Sequence, residues 1–159
     1  VHGHGFDAEL EDRLGAAAGV HAVATALSVK RLLEALDATR VAVATPYIDE
    51  LNERERSYLD EAGFEVVRLD GHAIERNTDI GRLTPADARE QAQAVLDATT
   101  DIDALFVSCT NYPTLTVVDE LAAERSVVTS NLATLWDLSR VTNLDTEVLP
   151  GSLPSPSHD

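Results

Sequence analysis

The sequence is poor in cysteine, lysine and aromatic residues, and it contains no methionine. Its 159 residues include one cysteine, one lysine and one tryptophan. A single cysteine excludes an internal disulfide and argues against a cysteine-based zinc site. Because position 1 is valine and not methionine, we expect the chain to start inside a longer reading frame.

Long apolar runs are also missing. No stretch approaches the roughly 18–20 apolar residues that a membrane-spanning helix needs, so we expect no membrane segment. No basic region followed by an apolar run marks a signal peptide, and we therefore expect a cytoplasmic protein. Hydrophobic residues nevertheless make up 44% of the chain, which is enough to form the core of one domain.

Positive charge is scarce. Twelve basic residues stand against 28 acidic ones, which gives a net charge of −16. This charge would repel phosphate groups, so we expect neither nucleic acid nor an anionic membrane as a partner. The acid-rich, lysine-poor composition suits a halophilic protein, because salt screens the self-repulsion. The alternative is an ordinary acidic protein from a GC-rich bacterium.

The hydrophobic pattern predicts four consecutive strand–helix units. Strands are expected at residues 41–44, 65–69, 104–108 and 127–129. Helices are expected at residues 49–62, from residue 84 onward, at 115–124 and at 132–140. Thr84, Pro85 and Asp87 form a typical helix start, with a capping side chain, a proline in the first turn and an acidic residue. Alternation of this kind indicates an α/β fold, a flavodoxin-like doubly wound four-stranded parallel sheet flanked by helices.

Segments before and after these units are expected to differ from them. A helix is predicted at residues 7–17, a short strand at residues 21–25, and then a helix with Val29, Leu32 and Leu33 on one face. The last residues, 144–159, are rich in proline, glycine and serine, which predicts a disordered tail.

Polar residues follow each predicted strand, in segments 45–47, 70–72, 108–111 and 129–131. In an open α/β sheet these strand ends meet at one edge, where ligands bind. Cys109 is the most reactive side chain among them. Free backbone N–H groups and the start of a helix capped by Thr114 would favour its thiolate form. Thr110 and Asn111 would add donors for an anion such as a carboxylate. The alternative is a small buried cysteine that only packs.

Two further side chains are candidates for the same site. Tyr47 follows the first strand, and its phenol could bind a carboxylate or donate a proton. Packing of the ring on the next helix is the alternative. Asn77 lies in a loop of about fourteen residues, and loops of that length are often functional. A surface turn is the alternative for Asn77.

Other motifs are weak. His2 and His4 resemble a metal site, but no third ligand has a fixed spacing, so we expect no metal. The chain has no glycine-rich phosphate loop and no G-x-S-x-G element of a serine hydrolase. The acidic residues of the helices are interpreted as a solvated face.

Four motifs taken together resemble the maleate cis-trans isomerases of the aspartate/glutamate racemase superfamily, which also contains the arylmalonate decarboxylases. They are segment 45–47 with Glu50 and Asn52, segment 77–80, segment 108–111, and Ser130 and Asn131 with Ala133 and Trp136. The resemblance implies a cofactor-independent enzyme with two α/β lobes and a cleft between them. Residues 1–26 would then be the end of the first lobe, 27–143 the second lobe, and 144–159 the tail.

The resemblance also implies roles for individual residues. Cys109 would be the acid/base of the second lobe, while Tyr47 and Asn77 would hold a substrate carboxylate. Thr110 and Asn111 would add hydrogen bonds, and Asn131 would shape the floor of the cleft. The family's isomerases and racemases use a second cysteine, which would here precede Val1 or be lost.

The expected function is isomerisation of a small dicarboxylate, of the maleate-to-fumarate type, without a cofactor. Aspartate or glutamate racemisation and arylmalonate-type decarboxylation are alternatives within the enzyme class. The alternative outside it is a non-catalytic half-domain that binds a small acid or assembles with a partner lobe. Because half of the fold would leave apolar surface beside the sheet, we expect a homo-oligomer or a partner lobe.

Overall fold

The computed structural model describes residues 5–122, 125–142 and 145–155, and it contains a four-stranded parallel sheet. The strands are β1 (Arg40–Thr45), β2 (Glu65–Gly71), β3 (Ala104–Val107) and β4 (Ser126–Thr129). Their order across the sheet is β2-β1-β3-β4. This order and the parallel pairing confirm the predicted flavodoxin-like α/β fold.

Helices connect the strands and cover both faces of the sheet. They are α1 (Phe6–Ala18), α2 (Thr25–Ala35), α3 (Asp49–Glu61), α4 (Asn77–Ile80), α5 (Pro85–Asp97), α6 (Val118–Leu121) and α7 (Ser130–Val141). Two single 3₁₀ turns occur at Leu115–Val117 and Thr146–Val148. In the described residues, no helix is long and apolar enough to cross a membrane.

The two central strands are buried on both faces, because helices pack against each side of the sheet. Alternate residues of β1 belong to different cores: Ala42 packs on the α5 side, whereas Val41 and Val43 pack on the side of α2 and α3. All four residues of β3 are buried as well. Such strands read as continuous apolar runs, which is why the sequence pattern located them.

The start of α5 follows the sequence prediction. Thr84 Oγ1 accepts a hydrogen bond from the Asp87 backbone N–H at 3.3 Å, and Asp87 Oδ2 accepts one from the Thr84 backbone N–H at 2.7 Å. This reciprocal pair is a capping box, with Pro85 in the first helical position.

Replacing Thr84 with alanine should remove half of this capping box. We expect the free energy of unfolding to fall by about 1 kcal/mol, because one helix N–H loses its acceptor. Urea denaturation measures the change. Thr78→Ala, at an exposed position of α4, is the matched control and should change stability by less than about 0.5 kcal/mol. Equal effects of the two substitutions would contradict the assignment.

The strand expected at residues 21–25 does not form. Residues 21–24 have no regular structure, and Thr25 already begins α2. The Ala24 backbone N–H donates to Glu11 Oε1 at 2.7 Å, so a side chain of α1 takes the place of a neighbouring strand. The expectation was wrong here because a strand needs a partner strand to satisfy its backbone groups.

An ion network joins α1 to the rest of the fold. Arg31 on α2 donates to Glu11 Oε2 at 2.8 Å and to Asp137 Oδ2 at 2.7 Å. Asp137 on α7 is buried and also accepts from the Ser28 hydroxyl at 2.9 Å. The network holds α1 against α2 and α7, so residues near the start of α1 keep a defined position beside the sheet.

The described part of the expected disordered tail lies against the domain. Trp136 Nε1 donates to the Pro154 carbonyl at 2.8 Å, and the Gly151 N–H donates to Asp119 Oδ1 at 2.7 Å. Leu149 and Leu153 pack against the core. Residues 145–155 thus differ from the expectation, because two apolar anchors and the indole N–H offset a composition that otherwise favours disorder. Residues 156–159 lie outside the described part of the chain.

Candidate active site

Hydrogen bonds with Thr45 and Asn52 fix the backbone of Tyr47 at the end of β1. The Thr45 hydroxyl donates to Asn52 Oδ1 at 2.5 Å, and Asn52 Nδ2 donates to the Tyr47 carbonyl at 3.3 Å. The Tyr47 N–H donates back to Thr45 Oγ1 at 3.2 Å. Gly71, at the end of β2, packs so closely that a Cβ there would lie 2.8 Å from the Tyr47 carbonyl oxygen. The backbone of Tyr47 is therefore fixed from two sides.

Cys109 follows β3 with an unusual backbone conformation. Its φ is 98°, in the left-handed region that side-chain-bearing residues rarely adopt. The Cys109 N–H donates to Ser130 Oγ at 3.1 Å, at the start of α7. The residue is only 6% exposed, yet it lines a cavity of about 340 Å³. Strained residues of this kind cluster at functional sites.

The helix expected behind Cys109 is much shorter than predicted. Thr114 precedes a three-residue 3₁₀ turn and then the four-residue α6, and its side chain makes no capping hydrogen bond. The expectation that the dipole of a long helix stabilises the Cys109 thiolate is therefore wrong. Neighbouring side chains form the environment of the sulfur instead.

Tyr47 and Cys109 are direct neighbours. The Tyr47 hydroxyl interacts with the Cys109 and Ser108 side chains, and all three residues line the same cavity. Burial is the main cause that raises the pKa of Tyr47 above its ordinary value, and the hydrogen bond with Cys109 raises it further. The phenol consequently stays protonated at neutral pH and can donate to a thiolate.

Of the predicted binding residues, Thr110 lines the same cavity. Asn131 does not line the cavity but is hydrogen-bonded to Thr110. Asn131 Nδ2 donates to the Thr110 carbonyl at 3.2 Å. Asn131 therefore supports the loop that carries Thr110. The role expected for Asn131, shaping the floor of the cleft, stays a prediction.

Asn77 and Asn111 form a separate pair at the same edge of the sheet. Asn111 Nδ2 donates to the Asn77 carbonyl at 2.8 Å and to Asn77 Oδ1 at 3.2 Å. Both residues are exposed, and neither lines the cavity around Cys109. Asn77 begins the short helix α4, so the segment predicted as a loop contains a helical turn.

The sequence interpretation missed Glu55 and gave Ser108, part of segment 108–111, no role of its own; both line the cavity. Glu55 on α3 is buried, and its Oε1 accepts a hydrogen bond from the Ser108 hydroxyl at 2.5 Å. Burial raises the pKa of Glu55 to about 7, while the hydrogen bond from Ser108 opposes the rise. Treating the acidic helices as a solvated face was thus wrong for Glu55. Its spacing of three from Asn52 and four from Leu59, both buried, would have indicated the inward direction.

Asp7 is a second buried carboxylate on the same cavity. It lies in the first turn of α1, and its Oδ2 has no hydrogen-bond partner among the described residues. Tyr58 is hydrogen-bonded to Asp7, and burial, followed by the charge of Asp7, raises the pKa of Tyr58. The polar end of the cavity is therefore built from acids and hydroxyls.

A larger cavity of about 760 Å³ lies between α1 and α7, away from Cys109. It is lined by the ion network of Glu11, Arg31 and Asp137, whose charges already satisfy one another. We therefore place the candidate site at Cys109. Within residues 5–122, 125–142 and 145–155, no group of three or more His, Cys, Asp or Glu side chains could hold a metal ion. His2 and His4 lie outside these ranges.

Comparisons with known proteins show the class of protein to which this chain belongs, and the sheet order and the placement of Cys109 beside Tyr47 agree with it. It is the α/β class of cysteine-based isomerases and decarboxylases within the aspartate/glutamate racemase superfamily. Within that class the chain belongs to the arylmalonate decarboxylase family, whose family model matches residues 1–152.

Curated relatives come from both branches of the class. The chain is 34% identical to the maleate isomerase of Nocardia farcinica over 122 residues, which cover 76% of this chain and 48% of that protein. It is 28% identical to the arylmalonate decarboxylase of Bordetella bronchiseptica over 151 residues, 94% of this chain and 63% of that protein. The chain thus spans about half to two thirds of the length of these relatives.

Solved structures agree with this assignment. The maleate isomerase Iso from Pseudomonas putida S16 superposes with a TM-score of 0.85 at 27% identity, covering 96% of this chain and 64% of that one. A crystal structure of arylmalonate decarboxylase gives a TM-score of 0.77 at 29% identity, covering 87% and 62%. A variant of Nocardia farcinica maleate cis-trans isomerase with a covalently bound succinylcysteine intermediate gives 0.81 at 26% identity, covering 96% and 66%.

Proposed function

We propose that this chain supplies one half of a cofactor-independent isomerase that converts a maleate-like cis dicarboxylate into its trans isomer. The observation that carries the proposal is the contact between Cys109 and Tyr47 in a cavity at the carboxyl ends of the strands. Such a pair can hold and move a proton next to a bound carboxylate.

In the proposed reaction Cys109 acts as the acid/base. A nucleophile from outside this chain adds to one carbon of the double bond, and the Cys109 S–H gives its proton to the neighbouring carbon. Rotation about the new single bond follows. The Cys109 thiolate then takes a proton from that carbon, the double bond re-forms, and the nucleophile leaves. Tyr47 stabilises the thiolate between the two transfers by donating a hydrogen bond.

Carboxylate binding is assigned to amides and hydroxyls. Tyr47 and Thr110 supply neutral donors on the cavity, and Asn77 and Asn111, which do not line it, add amides at the same edge of the sheet. Arg54, on the cavity, is paired with Glu50 at 2.6 Å. The net charge of −16 opposes the approach of a dianion. Salt screens this repulsion, so we propose that molar salt favours substrate binding.

A second candidate is decarboxylation of an arylmalonate. The observation that favours it is the apolar wall of the cavity, which consists of Ala26, Val29, Leu51, Leu59 and Phe106. Such a wall suits an aromatic ring better than a second carboxylate. In that reaction Cys109 would only reprotonate the carbanion after carbon dioxide leaves.

We also propose that a second lobe covers this cavity, either from the same protein or from a partner or second copy. The chain spans only part of its relatives, and this chain encloses the cavity only partly. A protein in which this edge stays open would be the non-catalytic half-domain considered from the sequence.

To test these proposals, the protein encoded by the complete reading frame that contains this chain is incubated in molar salt. The substrates are maleate, phenylmalonate, or L-aspartate and L-glutamate. Fumarate, phenylacetate and the D-amino acids are the respective readouts. We expect fumarate, and Cys109→Ser should reduce its formation by at least about 10³-fold, because serine is a far weaker acid than cysteine. Phenylacetate alone would select the second candidate. No product from any substrate, with the thiol intact, would overturn both.

A further inference from the structure

Glu55 is a buried acid that the proposed reaction does not use. It projects from α3 into the Cys109 cavity, and only 6% of the residue is exposed. Its Oε2 is buried and has no hydrogen-bond partner in the described part of the chain. Burying a carboxylate oxygen without a hydrogen-bond partner costs folding free energy. Its position beside a reactive sulfur therefore indicates a functional role.

A continuous set of contacts links this acid to the sulfur. Glu55 Oε1 accepts from the Ser108 hydroxyl, Ser108 and Cys109 both interact with the Tyr47 hydroxyl, and all four side chains line one cavity. Ser108 and Cys109 are adjacent in sequence, but their side chains communicate through one other residue, Tyr47. Four side chains thus form one path from α3 to the strand end.

We propose that Glu55 is a positioning residue whose protonation state, passed through Ser108 and Tyr47, sets how much of Cys109 is thiolate. The inference concerns the acid/base assigned to Cys109 and so rests on the proposed function. Nevertheless, the coupling itself requires only residues of this chain.

The number of hydrogen-bond donors along the path determines whether protonation of Glu55 favours or disfavours the Cys109 thiolate. A carboxylate at Glu55 can only accept, so it takes the single Ser108 hydroxyl proton and leaves Ser108 unable to donate to Tyr47. A protonated Glu55 donates to Ser108, Ser108 donates to the Tyr47 oxygen, and the Tyr47 hydroxyl donates to the sulfur. Every donor then points toward Cys109, which stabilises the thiolate.

Charge acts in the same direction. An ionised Glu55 repels a thiolate in the same cavity, whereas a neutral Glu55 does not. The other ionisable groups on this cavity are Asp7 from α1 and Arg54 and Tyr58 from α3. The Arg54 side chain is 58% exposed and already pairs with Glu50, so it neutralises Glu55 poorly. Because burial raises the pKa of Glu55 to about 7, the switch would operate near neutral pH.

The test compares iodoacetamide alkylation of Cys109 in the wild-type chain and in Glu55→Gln across pH. Glutamine is uncharged and can donate to Ser108, so it imitates protonated Glu55. We expect equal rates near pH 5, and alkylation about 5-fold faster in the variant near pH 8. Glu53→Gln, an exposed glutamate on the same helix, is the matched control and should follow the wild type at every pH. The proposal would be overturned if the ratio of the alkylation rates of Glu55→Gln and wild type did not change with pH.

A double variant tests the path. In a Tyr47→Phe background the last donor to the sulfur is absent, so Glu55→Gln should accelerate alkylation by less than about 2-fold. An undiminished acceleration in that background would mean that the charge acts through space alone, and the relay would be overturned.

A second measurement does not depend on the folding of any Glu55 variant. Carbon-13 NMR of wild-type protein labelled at glutamate carboxyl groups should show one carboxyl that titrates near neutral pH, and Cys109→Ser should displace that titration, since coupling is reciprocal. A titration that Cys109→Ser leaves unchanged would overturn the proposal. All these readouts are independent of maleate or arylmalonate turnover, so a failed activity assay would leave them decisive.

Discussion

Glu55→Gln is expected to make the protein more stable above neutral pH. Burial raises the pKa of Glu55 from 4.5 to about 7 in the folded state. The folded protein therefore binds more protons than the unfolded chain between these values, and stability falls as pH rises through them. The contribution of protonated Glu55 to folding stability is fully present below about pH 4.5 and is lost above about pH 7. Glutamine does not titrate, so the variant should escape this loss, which amounts to about 3 kcal/mol.

Urea denaturation of wild type and variant between about pH 5 and pH 8 measures this difference. Other carboxylates also titrate in a protein of net charge −16, so the informative quantity is the gap between the two curves. The gap should widen with pH for Glu55→Gln and stay flat for Glu53→Gln. Parallel curves for Glu55→Gln and wild type would show that Glu55 ionises as easily in the folded protein as in water.

Gly71→Ala is expected to destabilise the domain and to displace Tyr47. A Cβ at Gly71 would lie 2.8 Å from the Tyr47 carbonyl oxygen and would also collide with the Asn52 side-chain amide. The amide could rotate, but it would then release Thr45 and the Tyr47 carbonyl. We expect a loss of about 1–3 kcal/mol in the free energy of unfolding, because the backbone itself has to move.

Gly81→Ala is the matched control for this substitution. Its new Cβ would meet only the Asn111 side-chain amide, at 3.1 Å, and that amide can move. We expect a change below about 1 kcal/mol. Chemical denaturation gives both values, and iodoacetamide labelling of Cys109 should change with Gly71→Ala and not with Gly81→Ala. A Gly71→Ala protein as stable as wild type would contradict the tight packing at this strand end.

The sheet could be predicted from the sequence because its signals are local and mutually consistent. The central strands are apolar on both faces, and Thr84 with Pro85 and Asp87 marks a helix start by itself. Segment 21–25 is also apolar enough for a strand, but it lies where no strand can pair with it, and α1 satisfies its backbone. The position of α1 depends on Arg31 and Asp137, which are distant in sequence.

The candidate site was predictable to the extent that topology determines it. Parallel strands end at one edge, so Tyr47 and Cys109 had to approach each other. Glu55 was hidden among the acidic residues of α3, and the pattern of that helix is weak because its buried face also carries Asn52 and Tyr58. The Asn77–Asn111 pair depends on the path of the long loop before α5, and local sequence rules do not specify such a path.

The hydrogen bond between Trp136 and the Pro154 carbonyl gives the protein a built-in optical reporter. Trp136 is the sole tryptophan of the sequence, so intrinsic fluorescence observes this one indole. The carboxy-terminal segment shields it, and the residue is 3% exposed. Undocking of that segment would admit water to the indole and shift its emission to longer wavelength. Docking can therefore be followed in real time without an attached dye.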